Sequence, residues 1–135
     1  MDRVRVLLAD DHADFLAAAA RILESEYDVV AAVGDGRAVL DAAARLEPDV
    51  LVLDISMPVL NGIEAARRLL AAGSGAKVVF VTVHEDPDSV RAALAAGAQG
   101  YVVKCRLVSD LPSALREALA GRSFVSPSIS LEPGL

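Results

Sequence analysis

The chain has 135 residues, enough for one domain with a substantial core, and 54% of them are hydrophobic while only 4% are aromatic. The formal net charge of −6 argues against nucleic-acid binding by the chain itself, and no apolar run approaches the ~20 residues that span a bilayer. The N-terminus has no signal-peptide zones, and the single cysteine, Cys105, excludes an internal disulfide. These features predict a cytoplasmic protein that does not enter a membrane.

Strand-like and helix-like segments alternate five times along the chain. Short runs rich in β-branched residues predict strands, and Ala/Leu-rich segments with helical spacing predict helices. The predicted strands are 4–9, 29–33, 50–53, 77–81 and 100–103, and the predicted helices are 14–24, 37–46, 62–72, 87–96 and 111–120. Asp86 and Pro87 mark the start of the fourth helix, Gly97 marks its end, and Pro112 is placed in the first turn of the fifth.

Helical connections between consecutive strands require a parallel sheet that is covered on both faces. The pattern therefore predicts an α/β fold with a doubly wound, flavodoxin-like, five-stranded parallel sheet of order 2-1-3-4-5 and helices on both faces. This domain is expected over residues 1–121. Residues 122–135 contain several Ser and Pro without periodicity and are predicted to be a linker or C-terminal tail.

Four of the predicted strands end directly on polar or charged residues. The first strand ends on Asp10 and Asp11, the third on Asp54, the fourth on Thr82 and the fifth on Lys104. Parallel strands bring these residues to one edge of the sheet, where ligands of open α/β sheets bind. Crowded carboxylates repel one another unless a cation joins them, and their hard oxygen ligands suit Mg²⁺ or Mn²⁺. The combination indicates phosphoryl chemistry.

Asp54 is the candidate nucleophile in this group. A carboxylate can accept a phosphoryl group, and an acid at the end of an apolar strand beside two others is costly without a cation or proton. Lys104 can neutralise the carboxylate or the phosphoryl oxygens, and Thr82 offers a hydroxyl to one of those oxygens. Taken alone, Asp10 and Asp11 are equally explained as a helix N-cap, and Thr82 as an ordinary strand-end residue.

The chain resembles the receiver domain of bacterial two-component response regulators over about residues 4–121. The resemblance is carried by Leu8–His12, Val52–Pro58, Asn61, Gly62, Thr82 and Gly100–Lys104. It implies that Asp54 accepts phosphate from a sensor histidine kinase. It also implies that Asp11 binds Mg²⁺ directly, Asp10 acts largely through water, Asp54 supplies a carboxylate oxygen and Ser56 supplies its backbone carbonyl.

The resemblance further implies a switch pair, Thr82 and Tyr101, in which the hydroxyl turns toward the phosphoryl group and the ring moves inward behind it. Tyr101 is alternatively a half-buried strand aromatic with its hydroxyl in water. His84 occupies a position that influences water access to the phosphate in similar proteins, or is a solvated loop residue. Gly62 is expected to permit a tight turn, and His12 is expected to have no metal role.

Residues 82–86, 95–101 and 120–127 resemble receivers attached to LuxR-type helix-turn-helix output domains, the NarL/FixJ subfamily. This implies a transcription regulator that contacts DNA only through an output domain absent from this chain. The chain is then the receiver part of a longer regulator, which we favour, or a stand-alone response regulator acting by protein–protein interaction. A phosphorylation-dependent homodimer is expected, through helix 4, strand 5 and helix 5 or through helices 1 and 5.

Two other classes of protein share features with a receiver. An aspartyl-phosphate phosphatase typically needs a second aspartate two residues after the nucleophile, where this chain has Ser56. A receiver-like module that signals without phosphate has no need of the five site residues. The sequence therefore predicts a signalling domain and not an enzyme, with self-phosphorylation from small phosphodonors and autodephosphorylation.

Overall fold

The computed structural model describes residues 3–129. Its strands are apolar on both faces because helices cover both sides of the sheet. The strands are β1 (Arg5–Ala9), β2 (Asp28–Val33), β3 (Val50–Leu53), β4 (Lys77–Thr82), β5 (Gly100–Val103) and β6 (Phe124–Val125). The helices are α1 (Ala13–Leu23), α2 (Gly36–Leu46), α3 (Gly62–Ala71), α4 (Pro87–Ala95) and α5 (Leu107–Leu119), with a short 3₁₀ turn at Lys104–Arg106. No helix in this part of the chain combines the length and apolarity needed to cross a membrane.

Alternate residues of each strand enter two separate cores. Leu7, Leu51 and Phe80 pack on the face covered by α2, α3 and α4. Val6 and Val50 point to the opposite face, which α1 and α5 cover. This two-sided burial fixes the register of the strands, because a slip of one residue would exchange the faces.

The predicted strand order is confirmed, and residues 3–129 add one strand to it. All pairs are parallel, and the order is β2-β1-β3-β4-β5-β6. The additional strand, β6, falls in the segment predicted to be a linker or tail. Two residues are too few to show a period in sequence, and β6 forms because it pairs with the free edge of β5. Residues 130–135, also predicted to be tail, lie outside the described part of the chain, and the division at residue 121 stays a prediction.

Helix α5 begins at Leu107, earlier than predicted, so Pro112 is not in its first turn. Tertiary contacts explain the earlier start, since Leu107 is buried and the carboxylate of Asp110, also buried, accepts a hydrogen bond from Ser126. Pro112 has no N–H to donate to the carbonyl of Val108, but Val108 is exposed, so water can reach this part of the helix. The predicted start of α4 is confirmed, with Asp86 as N-cap and Pro87 at the first position. The helix ends at Ala95, one residue earlier than predicted, and Gly97 follows the C-cap with a positive φ.

One strained residue lies in the loop between β3 and α3. Val59 has a φ of 69°, in the left-handed region that a β-branched side chain strongly disfavours. Its side chain is 80% exposed, so burial does not compensate for the strain.

Replacing Val59 with glycine should therefore stabilise the protein. The lost strain outweighs the greater entropy of glycine in the unfolded chain, and we expect a net gain on the order of 1 kcal/mol in the free energy of unfolding, measured in urea. Val83 is the matched control, because it is also exposed, at 67%, but has a negative φ. Val83→Gly should destabilise the protein. If Val59→Gly also destabilises it, the inference that the backbone at Val59 is strained is wrong.

Candidate functional site

The carboxyl ends of the central strands collect the predicted site residues at one edge of the sheet. β1 and β3 are neighbours, and the N–H of Asp54 donates to the carbonyl of Ala9 at 2.9 Å, which sets Asp54 beside Asp10. β4 and β5 follow in the sheet, so Thr82 and Lys104 end on the same side. Asp10 and Asp54 are both buried, although each is charged at neutral pH in an ordinary setting.

Lys104 bridges the two buried carboxylates. Its Nζ lies 2.7 Å from Oδ2 of Asp10 and 3.2 Å from Oδ2 of Asp54, and its side chain is only 16% exposed. The same Nζ lies 4.4 Å from the centroid of the Phe15 ring, a distance that permits a cation–π interaction. The sequence assigned Phe15 only to the packed face of the first helix, and no signal in the chain indicated its contact with a lysine 89 positions away.

Burial and the neighbouring opposite charge shift the pKa of each group, Asp54 and Lys104, in opposite directions. Burial raises the pKa of Asp54, the ammonium of Lys104 opposes that rise, and the nearby charge of Asp10 adds to it, so the pKa is raised from its ordinary 3.8. Burial lowers the pKa of Lys104, but its bond to Asp10 and the charge of Asp54 outweigh burial, so that pKa is raised. Lys104 therefore keeps its proton more firmly than an ordinary lysine, and Asp54 loses its proton less readily than an ordinary aspartate.

The acidic group can hold a divalent cation. One ligand atom from each of Asp10, Asp11, His12 and Asp54 lies within 4.8 Å of the others. Three of these donors are carboxylate oxygens, which Mg²⁺ prefers. The negative charge of the three carboxylates together exceeds the single positive charge of Lys104. The residues present therefore fit a hard divalent cation.

Asp10 and Asp11 are not the N-cap of α1, since His12 occupies that position. The N–H of His12 donates to Oδ1 of Asp10 at 2.9 Å, and its Nδ1 lies 3.1 Å from a carboxylate oxygen of each aspartate. The N-cap explanation of the acid pair is therefore wrong. That His12 takes no part in metal binding stays a prediction.

The loop after Asp54 is shaped by a close backbone approach. A Cβ on Gly62 would lie 2.0 Å from the carbonyl oxygen of Asp54, so no larger residue fits there. The N–H of Gly62 donates to the carbonyl of Ile55 at 2.8 Å, and Asn61 caps α3 through the N–H of Glu64. The expected tight turn at Gly62 is thus better described as a contact between the start of α3 and the end of β3.

Ser56 and His84 join two loops above the site. Oγ of Ser56 lies 2.8 Å from Nε2 of His84, which links the loop after β3 to the loop after β4. His84 is therefore not simply a solvated loop residue. Its effect on water access to a phosphate stays a prediction.

Tyr101 is fully buried, and its hydroxyl donates to the carbonyl oxygen of His84 at 2.9 Å. The alternative of a half-buried ring with its hydroxyl in water is wrong. Burial, with the charges of Asp86, Asp54 and Glu85 adding to it, raises the pKa of Tyr101 far above its usual range. Its hydroxyl is therefore a permanent donor that holds the loop after β4.

Thr82 also contacts the loop after β4, at the N–H of His84. It is fully buried, and its Oγ1 accepts a hydrogen bond from the N–H of His84 at 3.3 Å. His84 is thus held through its N–H by Thr82 and through its carbonyl by Tyr101. The two residues of the predicted switch pair meet at one backbone unit.

The sequence and the fold both match known receivers. The family model described as response regulator receiver domain matches residues 6–116. Similar curated proteins include the response regulator GacA of Pseudomonas viridiflava, 38% identical over 98% of this chain, and the transcriptional regulatory protein DegU of Brevibacillus brevis, 32% identical over 96%. The chain spans 63% of the first protein and 56% of the second.

Two solved structures show the same architecture. A LuxR-family two-component response regulator from Aurantimonas sp. SI85-9A1 superposes with a TM-score of 0.89 at 32% identity, covering 95% of this chain and 93% of that one. The isolated receiver domain of RcsB from Salmonella enterica serovar Typhimurium, determined with the phosphomimetic BeF₃⁻, gives 0.86 at 27% identity, covering 95% and 96%.

The raised pKa of Asp54 predicts a pH dependence of stability. A carboxyl whose pKa is higher in the folded state favours folding at low pH, and this contribution is lost as the pH rises from about 4 through the folded pKa. Without divalent metal, in excess chelator, Asp54→Asn should therefore be more stable than the unmodified protein at neutral pH, with a difference that shrinks on acidification. Urea titrations between about pH 4 and pH 7.5 measure this.

Asp28→Asn is the control, because it removes the same charge from an exposed residue at the opposite end of the sheet. Its stability relative to the unmodified protein should not increase with pH as that of Asp54→Asn does. Equal pH profiles for the unmodified protein and Asp54→Asn would contradict a destabilising buried carboxylate.

Proposed function

Because the chain belongs to the family of response regulator receiver domains, we propose that Asp54 accepts a phosphoryl group from a sensor histidine kinase and so switches a response regulator. The observation that carries this proposal is the bridge from Lys104 to Asp10 and Asp54. It supplies a carboxylate nucleophile with an adjacent fixed cation at the ligand-binding edge of the sheet.

The transfer forms one bond and breaks another. A carboxylate oxygen of Asp54 attacks the phosphorus of a phosphohistidine whose other ring nitrogen carries a proton. The new P–O bond forms, the P–N bond breaks with its electron pair on nitrogen, and the histidine leaves as neutral imidazole. Lys104 then pairs with a phosphoryl oxygen in place of the Asp54 carboxylate, and the Thr82 hydroxyl donates to another. Catalysis of this kind depends on positioning and charge more than on acid–base chemistry.

The acidic residues would hold the divalent cation that this reaction needs. Asp10, Asp11, Asp54 and the backbone carbonyl of Ser56 would hold Mg²⁺ or Mn²⁺, which offsets the charge of the incoming phosphoryl group. That group brings about two negative charges to a site that already carries three carboxylates. The single positive charge of Lys104 does not balance the combined negative charge of the carboxylates and the phosphoryl group.

The switch acts through the backbone of His84. When the Thr82 hydroxyl turns to the phosphoryl group it gives up its bond to the N–H of His84, and the backbone of His84 is then held only through its carbonyl, by Tyr101. Phosphorylation thereby biases a loop with two arrangements. The face formed by α4, β5 and α5 changes, and with it self-association or partner binding.

The regulator as a whole is inferred from its relatives. The curated relatives extend beyond the matched region and include proteins named as transcriptional regulators, so we infer a transcription regulator whose receiver is this chain. Such a regulator contacts DNA through its output domain and forms a homodimer when it is phosphorylated. The phosphoryl transfer from the kinase takes place in the cytoplasm. A stand-alone regulator that acts by protein–protein interaction is the alternative.

Acetyl phosphate provides a direct test, because self-phosphorylation from small donors needs no kinase. With Mg²⁺, intact-mass measurement should show one added phosphoryl group that is lost slowly by autodephosphorylation. Asp54→Asn and excess chelator should each abolish it, whereas Asp41→Asn, at an exposed position on α2, should label normally. Label that survives Asp54→Asn would contradict the assignment, and sustained turnover would indicate a phosphatase.

Beryllofluoride, a phosphoryl mimic, tests the switch by NMR. Backbone amide shifts should change in the Asp54 loop and also at residues 83–86 and at Tyr101, because His84 joins the two regions. Tyr101→Phe keeps the ring but removes the bond to His84, and should reduce the changes beyond the Asp54 loop. Shifts confined to that loop in the unmodified protein would contradict the proposed readout.

A further inference from the structure

A buried polar network lies at the C-terminal end of the described chain, outside the acidic site. We call it the clasp, and it consists of Arg106, Asp110 and Ser126. Ser126 is 1% exposed and Asp110 is 4% exposed. Oγ of Ser126 donates to Oδ2 of Asp110 at 2.7 Å, and the Nε and Nη2 groups of Arg106 donate to the same carboxylate at 2.7 and 3.3 Å.

The clasp ties three segments of the chain together. Oγ of Ser126 also accepts a hydrogen bond from the N–H of Val103 at 3.0 Å, so one hydroxyl joins the end of β5, the first turns of α5 and the residue after β6. Loss of that hydroxyl would leave a buried backbone donor without its acceptor and a buried carboxylate with one donor fewer. Either change is costly in the interior of a protein.

Lys104 lies between the two anchor points of this network. Its predecessor, Val103, is bound by Ser126, and Arg106, two residues later, is bound by Asp110. The four residues 103–106 form the 3₁₀ turn and its entry, so the turn that carries the Lys104 ammonium is bonded on one side through the N–H of Val103 and on the other through the side chain of Arg106. A shift of the clasp therefore moves the ammonium relative to Asp10 and Asp54.

The C-terminal segment, residues 124–129, is held by further contacts beside the clasp. The N–H groups of Phe124 and Ser126 each donate at 2.9 Å to carbonyls of the β5 edge, those of Gln99 and Tyr101. Val125 and Ile129 pack against the core cluster that contains Tyr101. The segment thus covers the outer edge of β5 beside the buried tyrosine.

We propose that Ser126 and Asp110 are positioning residues for Lys104, so that docking of the C-terminal segment and occupancy of the acceptor site favour each other. The proposal rests on the proposed function, because it concerns the lysine that pairs with the phosphoryl group. Coupling between sites is reciprocal in free energy. A filled acceptor site therefore holds the segment more tightly, and a released segment weakens the acceptor site.

Amide hydrogen exchange of the unmodified protein tests the coupling without any substitution. Beryllofluoride with Mg²⁺ should slow exchange at Phe124 and Ser126 by about fivefold or more, while amides of β2 at the far edge of the sheet stay unchanged. Unchanged or faster exchange at Phe124 and Ser126, under conditions in which beryllofluoride binds, overturns the proposal.

Ser126→Ala tests it from the other side. This variant should weaken beryllofluoride binding by about fivefold or more and shift the amide signals of Lys104 and Asp54. Ser128→Ala, which changes an exposed serine two residues later, should do neither, and Ser126→Thr, which keeps the hydroxyl, should restore binding at least in part. If Ser126→Ala frees the segment but leaves beryllofluoride affinity within about twofold, the clasp is only structural and the proposal fails.

The two proposals fail in different ways. A chain that takes no label from acetyl phosphate and binds no beryllofluoride contradicts the proposed function. The Ser126→Ala shifts at Lys104 and Asp54 still decide the positioning role in that case: their presence supports it, and their absence overturns it. If Ser126→Ala does not fold, the exchange measurement on the unmodified protein decides.

Discussion

The charge imbalance at the carboxyl edge of the sheet is the constraint on which the other features depend. Three carboxylates lie together there, two of them buried, and one ammonium serves them. A buried carboxylate without compensation is strongly unfavourable, so the position of Lys104 determines whether the site is tolerable in the folded protein. The strand order serves this arrangement, because it sets β1 beside β3 and brings β5 close enough for a lysine to reach across.

Strand β5 connects this charge group to the rest of the molecule. It carries Tyr101, which holds the loop after β4 through His84, and it ends at Val103, which the clasp holds through Ser126. Lys104 follows directly. One four-residue strand therefore links the acidic site, the switch loop and the C-terminal segment, and a change of charge at Asp54 can reach all three through short contacts.

Sequence reasoning succeeded where a local pattern carried the information. Four of the five predicted strands, all but the edge strand β2, are apolar runs buried on both faces, and their polar ends meet as expected because all strands are parallel. It failed where tertiary contacts decide. The start of α5 depends on the burial of Leu107 and on the bond from Ser126 to Asp110, β6 exists because an edge of β5 is free, and the hydroxyl of the buried Tyr101 needs the carbonyl of His84 as its acceptor. The i, i+4 spacing of Arg106 and Asp110 was visible in the sequence, but nothing in it indicated Ser126 as their partner.

The most direct test of this account is the affinity for Mg²⁺ after removal of the Lys104 charge. Lys104→Met keeps a similar length and apolar stem but leaves the three carboxylates without their ammonium. If Lys104 and a divalent cation balance the same charge, calorimetric titration should show Mg²⁺ binding more tightly to Lys104→Met than to the unmodified protein, although the variant is less stable without metal. Equal or weaker Mg²⁺ binding by a folded Lys104→Met would contradict the central claim that one ammonium compensates the acidic cluster.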